Sequence, residues 1–83
     1  MTTKAPKFSA ITGDAALSMR KKTGLNQSEF WSRVGAGQSA GSRYETGRSI
    51  PKSTQMLLRI AYGPKAQAEK QISSLRPTLA SEA

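Results

Sequence analysis

The sequence contains no cysteine and no histidine among its 83 residues, and these absences exclude several kinds of site. Without a thiolate or an imidazole, the chain cannot build the usual zinc sites, a cysteine nucleophile or a Ser-His-Asp triad. Disulfides are excluded too, so a small domain must be stabilised by packing or by dimerisation. Acidic residues number only five, and no acid–base pair suggests itself. We therefore expect no enzyme, no metal and no other cofactor.

Long hydrophobic runs are also absent. No stretch approaches the roughly 18 apolar residues that span a membrane, and the first ten residues lack the apolar core of a signal peptide. Hydrophobic residues make up 36% of the chain, which suits one small domain with a thin core. We expect a soluble protein of a reducing compartment, the cytoplasm, with no membrane partner.

Positive charge is what the sequence has in excess. Lys and Arg total 13 against 5 Asp and Glu, which gives a net charge of +8 at pH 7. Residues 1–63 hold ten of these cations and three of the acids, so the charge belongs to the body of the domain and not to a tail. Such a balance suits nucleic acid, anionic lipid or an acidic protein, and predicts a polyanionic partner.

Apolar spacing and helix-stop residues predict an all-α protein with five short helices and no strand. We expect Asp14 to cap a first helix that ends at Gly24, and Asn26 to cap a second that ends at Gly35. The third helix, over about 38–45, is poor in helix-forming residues.

A fourth helix is expected to be capped by Ser53 or Thr54 and to end at Gly63. Its predicted inward stripe consists of Met56, Leu57, Ile60 and Ala61. A fifth helix runs from about Lys65 to Leu75. The expected organisation is a flexible arm over residues 1–12, a helix-turn-helix domain over 13–63, a C-terminal helix over 64–76 and a disordered tail over 77–83.

Two short helices separated by glycines carry a resemblance to a known family. The blocks LNQSEFWSRVG, QSAGSRYETGR and LLRIA, with Pro51 between the last two, resemble the lambda-repressor-like, Cro/XRE-type helix-turn-helix proteins. The resemblance covers roughly residues 17–61. It implies that the first helix of the motif crosses the DNA backbone and that the second enters the major groove.

The resemblance also implies roles for individual residues. The residues matching base-contacting positions are Gln38, Ser39, Ser42 and Arg43, and those assigned to phosphate contacts are Gln27, Arg48 and Lys52. Arg20 and Glu45 match a pair that forms a structural salt bridge in family members.

Three positions depart from the family pattern. Trp31 stands where the family usually has Ala, and Gly41 stands where it has Val or Ile. Because these positions face each other across the helix crossing, the two changes look compensatory. Gly37 replaces the usual Ser or Thr cap of the recognition helix. This replacement is expected to lower helix stability by only about 0.3 kcal/mol relative to Ser.

We therefore expect a sequence-specific transcriptional regulator, most simply a repressor, that binds a pseudo-palindromic operator in double-stranded DNA as a homodimer. Dimerisation is expected because one recognition helix reads too few base pairs for specificity. Ala68, Ile72 and Leu75 are the candidate dimer contact, since little of the domain is left for them to cover. No small-molecule ligand is expected.

Several biological roles share this architecture: a Cro-like phage regulator, an autorepressing antitoxin and an anti-CRISPR-associated regulator. The sequence does not choose among them. A different class of function also fits: a helix-turn-helix module, or an antitoxin, whose main partner is another protein. Weak salt dependence and no preferred DNA site would distinguish that class.

Overall fold

The computed structural model describes residues 8–77, and in this range it contains five helices and no strand. The helices are α1 (Gly13–Thr23), α2 (Gln27–Ser32), α3 (Gln38–Glu45), α4 (Lys52–Tyr62) and α5 (Lys65–Leu75). The predicted all-α fold with five short helices is therefore confirmed. α2 packs on α3, α1 packs on α3 and α4, and α5 packs mainly on α4.

The ends of the helices follow the local chemistry, with two corrections. The side chain of Asn26 accepts a hydrogen bond from the Glu29 amide at 2.8 Å, which confirms it as the α2 cap. α1, however, is capped by Thr12 and not by Asp14, which lies in the first turn instead. Pro51 precedes α4 without any side-chain cap, so the expectation of Ser53 or Thr54 there is wrong.

The core is built around three side chains with no measurable exposure: Phe30, Trp31 and Leu58. Phe30 stacks on Tyr62 with ring centroids 4.1 Å apart, and the Tyr62 hydroxyl donates to the Phe30 carbonyl at 2.7 Å. These contacts fix α4 on α2. Because aromatic pairs and a satisfied hydroxyl stabilise more than area alone, they compensate in part for the small size of the core.

The inward face of α4 differs from the predicted stripe. Leu58 is fully buried in the same cluster as Phe30, and Tyr62 stacks on the Phe30 ring, whereas Leu57 is 44% exposed and Ala61 is exposed too. The reason is that α4 has two neighbours. Tyr62 packs on Phe30 of α2, and Arg59 is turned towards α5 and the N-terminal segment.

The packed part of the chain begins ahead of α1. Ile11 is buried and its amide donates to Gln55 Oε1 at 2.8 Å, so the segment from Phe8 to Thr12 lies on the helical body and does not extend from it as the expected arm. Arg59 holds the same segment by donating to the Ser9 carbonyl at 2.8 Å. The rest of the expected arm, with Lys4 and Lys7, and nearly all of the expected tail lie outside the described residues.

Candidate nucleic-acid interface

The outer face of α3 is polar, and the side chains at its centre are short. Gln38, Ser39 and Arg43 are exposed and Ser42 is half-buried, while the helix buries only Gly41. Together with Gln27 from α2, these four polar residues line one shallow, open depression. A helix with small hydroxyls between a long amide and a guanidinium can approach base edges in a major groove without steric obstruction.

The inner face of α3 is seated on an aromatic ring. A Cβ atom on Gly41 would overlap Cγ and Cδ1 of Trp31 and would lie only 2.9 Å from Trp31 Cβ. Trp31 is fully buried, and its ring also contacts that of Tyr44 with centroids 5.2 Å apart. The sequence-based expectation that Trp31 and Gly41 complement each other is confirmed, and glycine is required here by the close approach of the indole.

The C-terminal end of α3 is fixed by the carboxylate of Glu45. Its Oε2 accepts from Arg20 Nε at 2.7 Å and from Trp31 Nε1 at 2.8 Å. Its Oε1 accepts from Arg20 Nη2 at 2.9 Å and from Gln27 Nε2 at 3.0 Å. Four donors from α1 and α2 thus converge on the last residue of α3.

The electrostatics of Glu45 follow from this geometry. Burial alone would raise its pKa, but hydrogen bonds from Arg20, Trp31 and Gln27 and the charge of Arg20 outweigh burial and lower the pKa. The same interaction raises the pKa of Arg20. Glu45 is therefore a fully paired anion, and because its charge is matched by that of Arg20, the pair adds no net charge to the domain.

The loop after α3 contains a glycine with positive φ and is followed by exposed cationic side chains. Gly47 has φ +123°, a conformation that favours glycine, and the Arg48 amide donates to the Arg43 carbonyl at 2.9 Å. The Arg48 and Lys52 side chains are exposed, as expected of residues that bind phosphate. Arg43, Arg48 and Lys52 are thus three exposed cations that follow one another along the chain from α3 to the start of α4.

The structure brings only some of the sequence-predicted site residues together. The α3 residues and Gln27 share one depression, whereas Arg48 lines a second, and Lys52 lines a third together with Leu75 of α5. The proposed DNA-contacting residues lie on α2, α3, the following loop and the start of α4, whereas the proposed dimer residues lie on α5. Ile72 is 41% exposed, Leu75 is 52% exposed and Ala68 is half-buried. The exposed Leu57 of α4 was not anticipated, because it was assigned to the core.

Sequence reasoning also missed a buried polar cluster. Arg59 and Gln71 are 6% and 2% exposed, and Arg59 Nη1 donates to Gln71 Oε1 at 2.5 Å. The guanidinium lies 4.5 Å from the Phe8 ring centroid, and burial lowers the pKa of Arg59. No pattern in the sequence marks this cluster, since Arg59 reads as a solvated charge and Gln71 as a surface residue.

Comparison with known families identifies the motif that these helices form. The family model of the RsaL-like HTH domain matches residues 17–61, which is more than half of the chain. The chain belongs to the RsaL-like helix-turn-helix domain family. No curated protein and no solved structure matches it.

The RsaL-like domain match runs from α1 through most of α4 and thus contains the whole candidate interface. It identifies the protein as a helix-turn-helix regulator of the DNA-binding kind, a class of domain that is typically non-enzymatic. α5 lies outside the matched residues. No group of three or more potential metal ligands occurs among residues 8–77, and no helix in that range is long and apolar enough to cross a membrane.

Proposed function

We propose that this RsaL-like protein is a transcriptional repressor that binds an inverted-repeat operator as a homodimer, with α3 in the major groove of each half-site. The observation that carries the proposal is the outer face of α3. It is polar, cationic and uncovered, while its inner face is seated on Trp31 through a residue without a side chain. A helix built in this way contributes little to the core and presents side chains outwards.

The chemistry of the face supports specific roles. The Gln38 amide has a donor and an acceptor that suit adenine N6 and N7, and the Arg43 guanidinium suits guanine O6 and N7. Ser39 and Ser42 keep the surface between them low and can bond to base edges. Gln27, Arg48 and Lys52 bind phosphate and set the register of α3, without reading sequence themselves. In Gln27, one amide proton is already given to Glu45, which leaves the other for phosphate.

The homodimer is supported by large apolar side chains that α4 and α5 leave exposed. Leu57, Ile72 and Leu75 are large apolar side chains that are 41–52% exposed. In a second copy they would be covered by the same surface, as a two-fold interface requires. The two recognition helices of such a dimer would lie about 34 Å apart, one turn of DNA.

Repression follows most simply from occlusion of a promoter by the bound dimer. A Cro-like (XRE-type) phage regulator, an autorepressing antitoxin and an anti-CRISPR-associated regulator differ in the gene that they control. The position of the operator in the genome distinguishes them, because it identifies the gene that is controlled.

A binding selection from a random duplex pool at near-physiological salt tests the proposal. Enrichment of an inverted repeat with half-site centres about 10 base pairs apart would support it. The matched control is the chain with Gln38 and Arg43 both replaced by Ala, which is expected to retain weak, salt-sensitive binding and to enrich no repeat. If the unaltered chain also enriches nothing, the proposal fails and a protein partner takes its place.

A further inference from the structure

α3 has few stabilising interactions within its own residues. Its N-cap, Gly37, makes no side-chain hydrogen bond to the first turn, and the helix carries residues of low helix propensity at Ser39, Gly41 and Ser42. Gly41 is also the one residue that the helix buries. The orientation of the recognition helix must therefore come from what it is seated on.

Trp31 contacts α3 at two points. The indole ring packs against Gly41 in the middle of α3, and its Nε1 donates to Glu45 Oε2 at 2.8 Å at the helix end. One rigid side chain of α2 thus fixes the distance of α3 through the ring and its rotation through the N–H. Trp31 has no measurable exposure, so the ring itself does not reach DNA.

We propose that Trp31 is a positioning residue for sequence recognition, which sets the height and rotation of α3 so that Gln38 and Arg43 meet base edges. The inference rests on the proposed function. Base readout depends on directional hydrogen bonds, whereas the attraction of phosphate for cations tolerates small displacements. A shift of α3 on its seat should therefore reduce specific binding far more than non-specific binding.

The test compares Trp31→Phe, Gly41→Ala and the double variant with the unaltered chain. Affinity is measured for the selected operator and for an unrelated duplex, over a series of salt concentrations, at a temperature where circular dichroism shows each variant folded. Trp31→Phe removes the N–H and shrinks the ring, but it leaves Glu45 bonded to Arg20 and Gln27. Leu58→Val is the control, since it removes one methylene group from the same core cluster but on α4, which packs mainly on α5 and α1.

Each single change is expected to lower the ratio of specific to non-specific affinity by about tenfold, which is near the low end of the discrimination that one good base contact supplies. The salt dependence should stay unchanged, because no phosphate contact is removed. In the double variant, the methyl group of Ala occupies space that the smaller ring leaves, so that part of the ratio should be regained. Leu58→Val should lower the melting temperature and keep the ratio.

The inference is overturned if Trp31→Phe keeps the ratio while the unaltered chain binds its operator specifically, or if the two changes are simply additive. Should Gly41→Ala fail to fold, the ratio for Trp31→Phe decides by itself. If the unaltered chain prefers no sequence, the proposed function fails, and this inference fails with it. The two failures can be told apart by the unaltered chain: it prefers no sequence if the proposed function fails, and it still prefers its operator if only the role of Trp31 is wrong.

Discussion

The guanidinium of Arg20 donates one hydrogen bond to each oxygen of the Glu45 carboxylate, at 2.7 and 2.9 Å, and so ties α1 to the last residue of α3. The Glu45 side chain is 6% exposed and that of Arg20 is 22% exposed. A bidentate pair of this kind fixes geometry as well as charge. Trp31 and Gln27 complete the set of donors, so that Glu45 connects three helices.

Replacing Glu45 by Gln is expected to lower the free energy of unfolding at pH 7 by about 1.5–3 kcal/mol, the usual range for hydrogen bonds to a charged group. The loss should lie at the lower end, because Arg20 is exposed enough to be hydrated when its partner is gone. Thermal unfolding measured by circular dichroism tests this, with the exposed Glu69→Gln as the matched control.

The stability difference between the unaltered chain and Glu45→Gln should depend on pH. Because the pKa of Glu45 is lowered by folding, its contribution to stability is fully present above the usual carboxyl pKa of about 4.3. It is lost as the pH falls from there through the lowered value. The difference in stability between the unaltered chain and Glu45→Gln should therefore shrink on acidification. A difference that stays constant down to low pH would contradict the assigned role of the pair.

Arg43 and Arg48 should differ in the kind of binding that they support. Arg43→Ala is expected to cost about 1–3 kcal/mol on the selected operator and to relax preference at one base pair. Arg48→Ala should weaken binding to all duplexes alike and reduce the slope of log affinity against log salt by about one. Fluorescence anisotropy titrations across single-base operator variants measure both. A uniform loss in Arg43→Ala would exclude it as a base reader.

Arg59→Met should release the N-terminal segment from the helical body. The Ser9 carbonyl and Gln71 Oε1 lose their donors, and the Phe8 ring loses the guanidinium above it. We expect a loss of about 1–3 kcal/mol in urea unfolding and faster cleavage by chymotrypsin after Phe8. The exposed Lys70→Met of α5 is the control. Unchanged cleavage after Phe8 would show that Arg59 does not hold the segment.

Ile72→Glu tests the proposed dimer contact. A charge in the middle of the exposed apolar surface of α5 should give a monomer in sedimentation equilibrium and weaken operator binding, because the charge cannot be buried without a partner. Gln67→Glu, exposed on the same helix, is the control for added charge. If Ile72→Glu leaves both molecular mass and operator affinity unchanged, the contact lies elsewhere.

Much of the fold could be predicted from local signals. The bounds of α3 and α5 agree with the expected ones, and Gly24, with φ +76°, ends α1 as its position suggests. Helix caps were less predictable, because Thr12 and Asp14 can both accept from a first-turn amide and only the backbone path decides between them. The predicted inward face of α4 was wrong at Leu57 and Ala61, which are exposed, because the buried face of this helix depends on two neighbouring elements as well as on apolar spacing.

In the candidate interface, too, local features could be predicted and contacts between distant residues could not. The outer face of α3 could be read from the sequence, because its residue types and spacing are local to one helix. The hydrogen bonds of Gln27 and Trp31 to Glu45 could not, since they join residues 18 and 14 positions apart without a periodic pattern. Arg59 and Ser9, 50 positions apart, are a still longer-range case.

Mapping the bound face by nuclear magnetic resonance tests the central claim most directly. The ¹⁵N-labelled chain is titrated with the selected duplex, and shifts of backbone and side-chain amides are followed residue by residue. We predict the largest changes at Gln38, Ser39, Ser42 and Arg43, with further changes at Gln27 and Arg48. Changes confined to α5, with α3 unaffected, would contradict recognition of DNA by this helix.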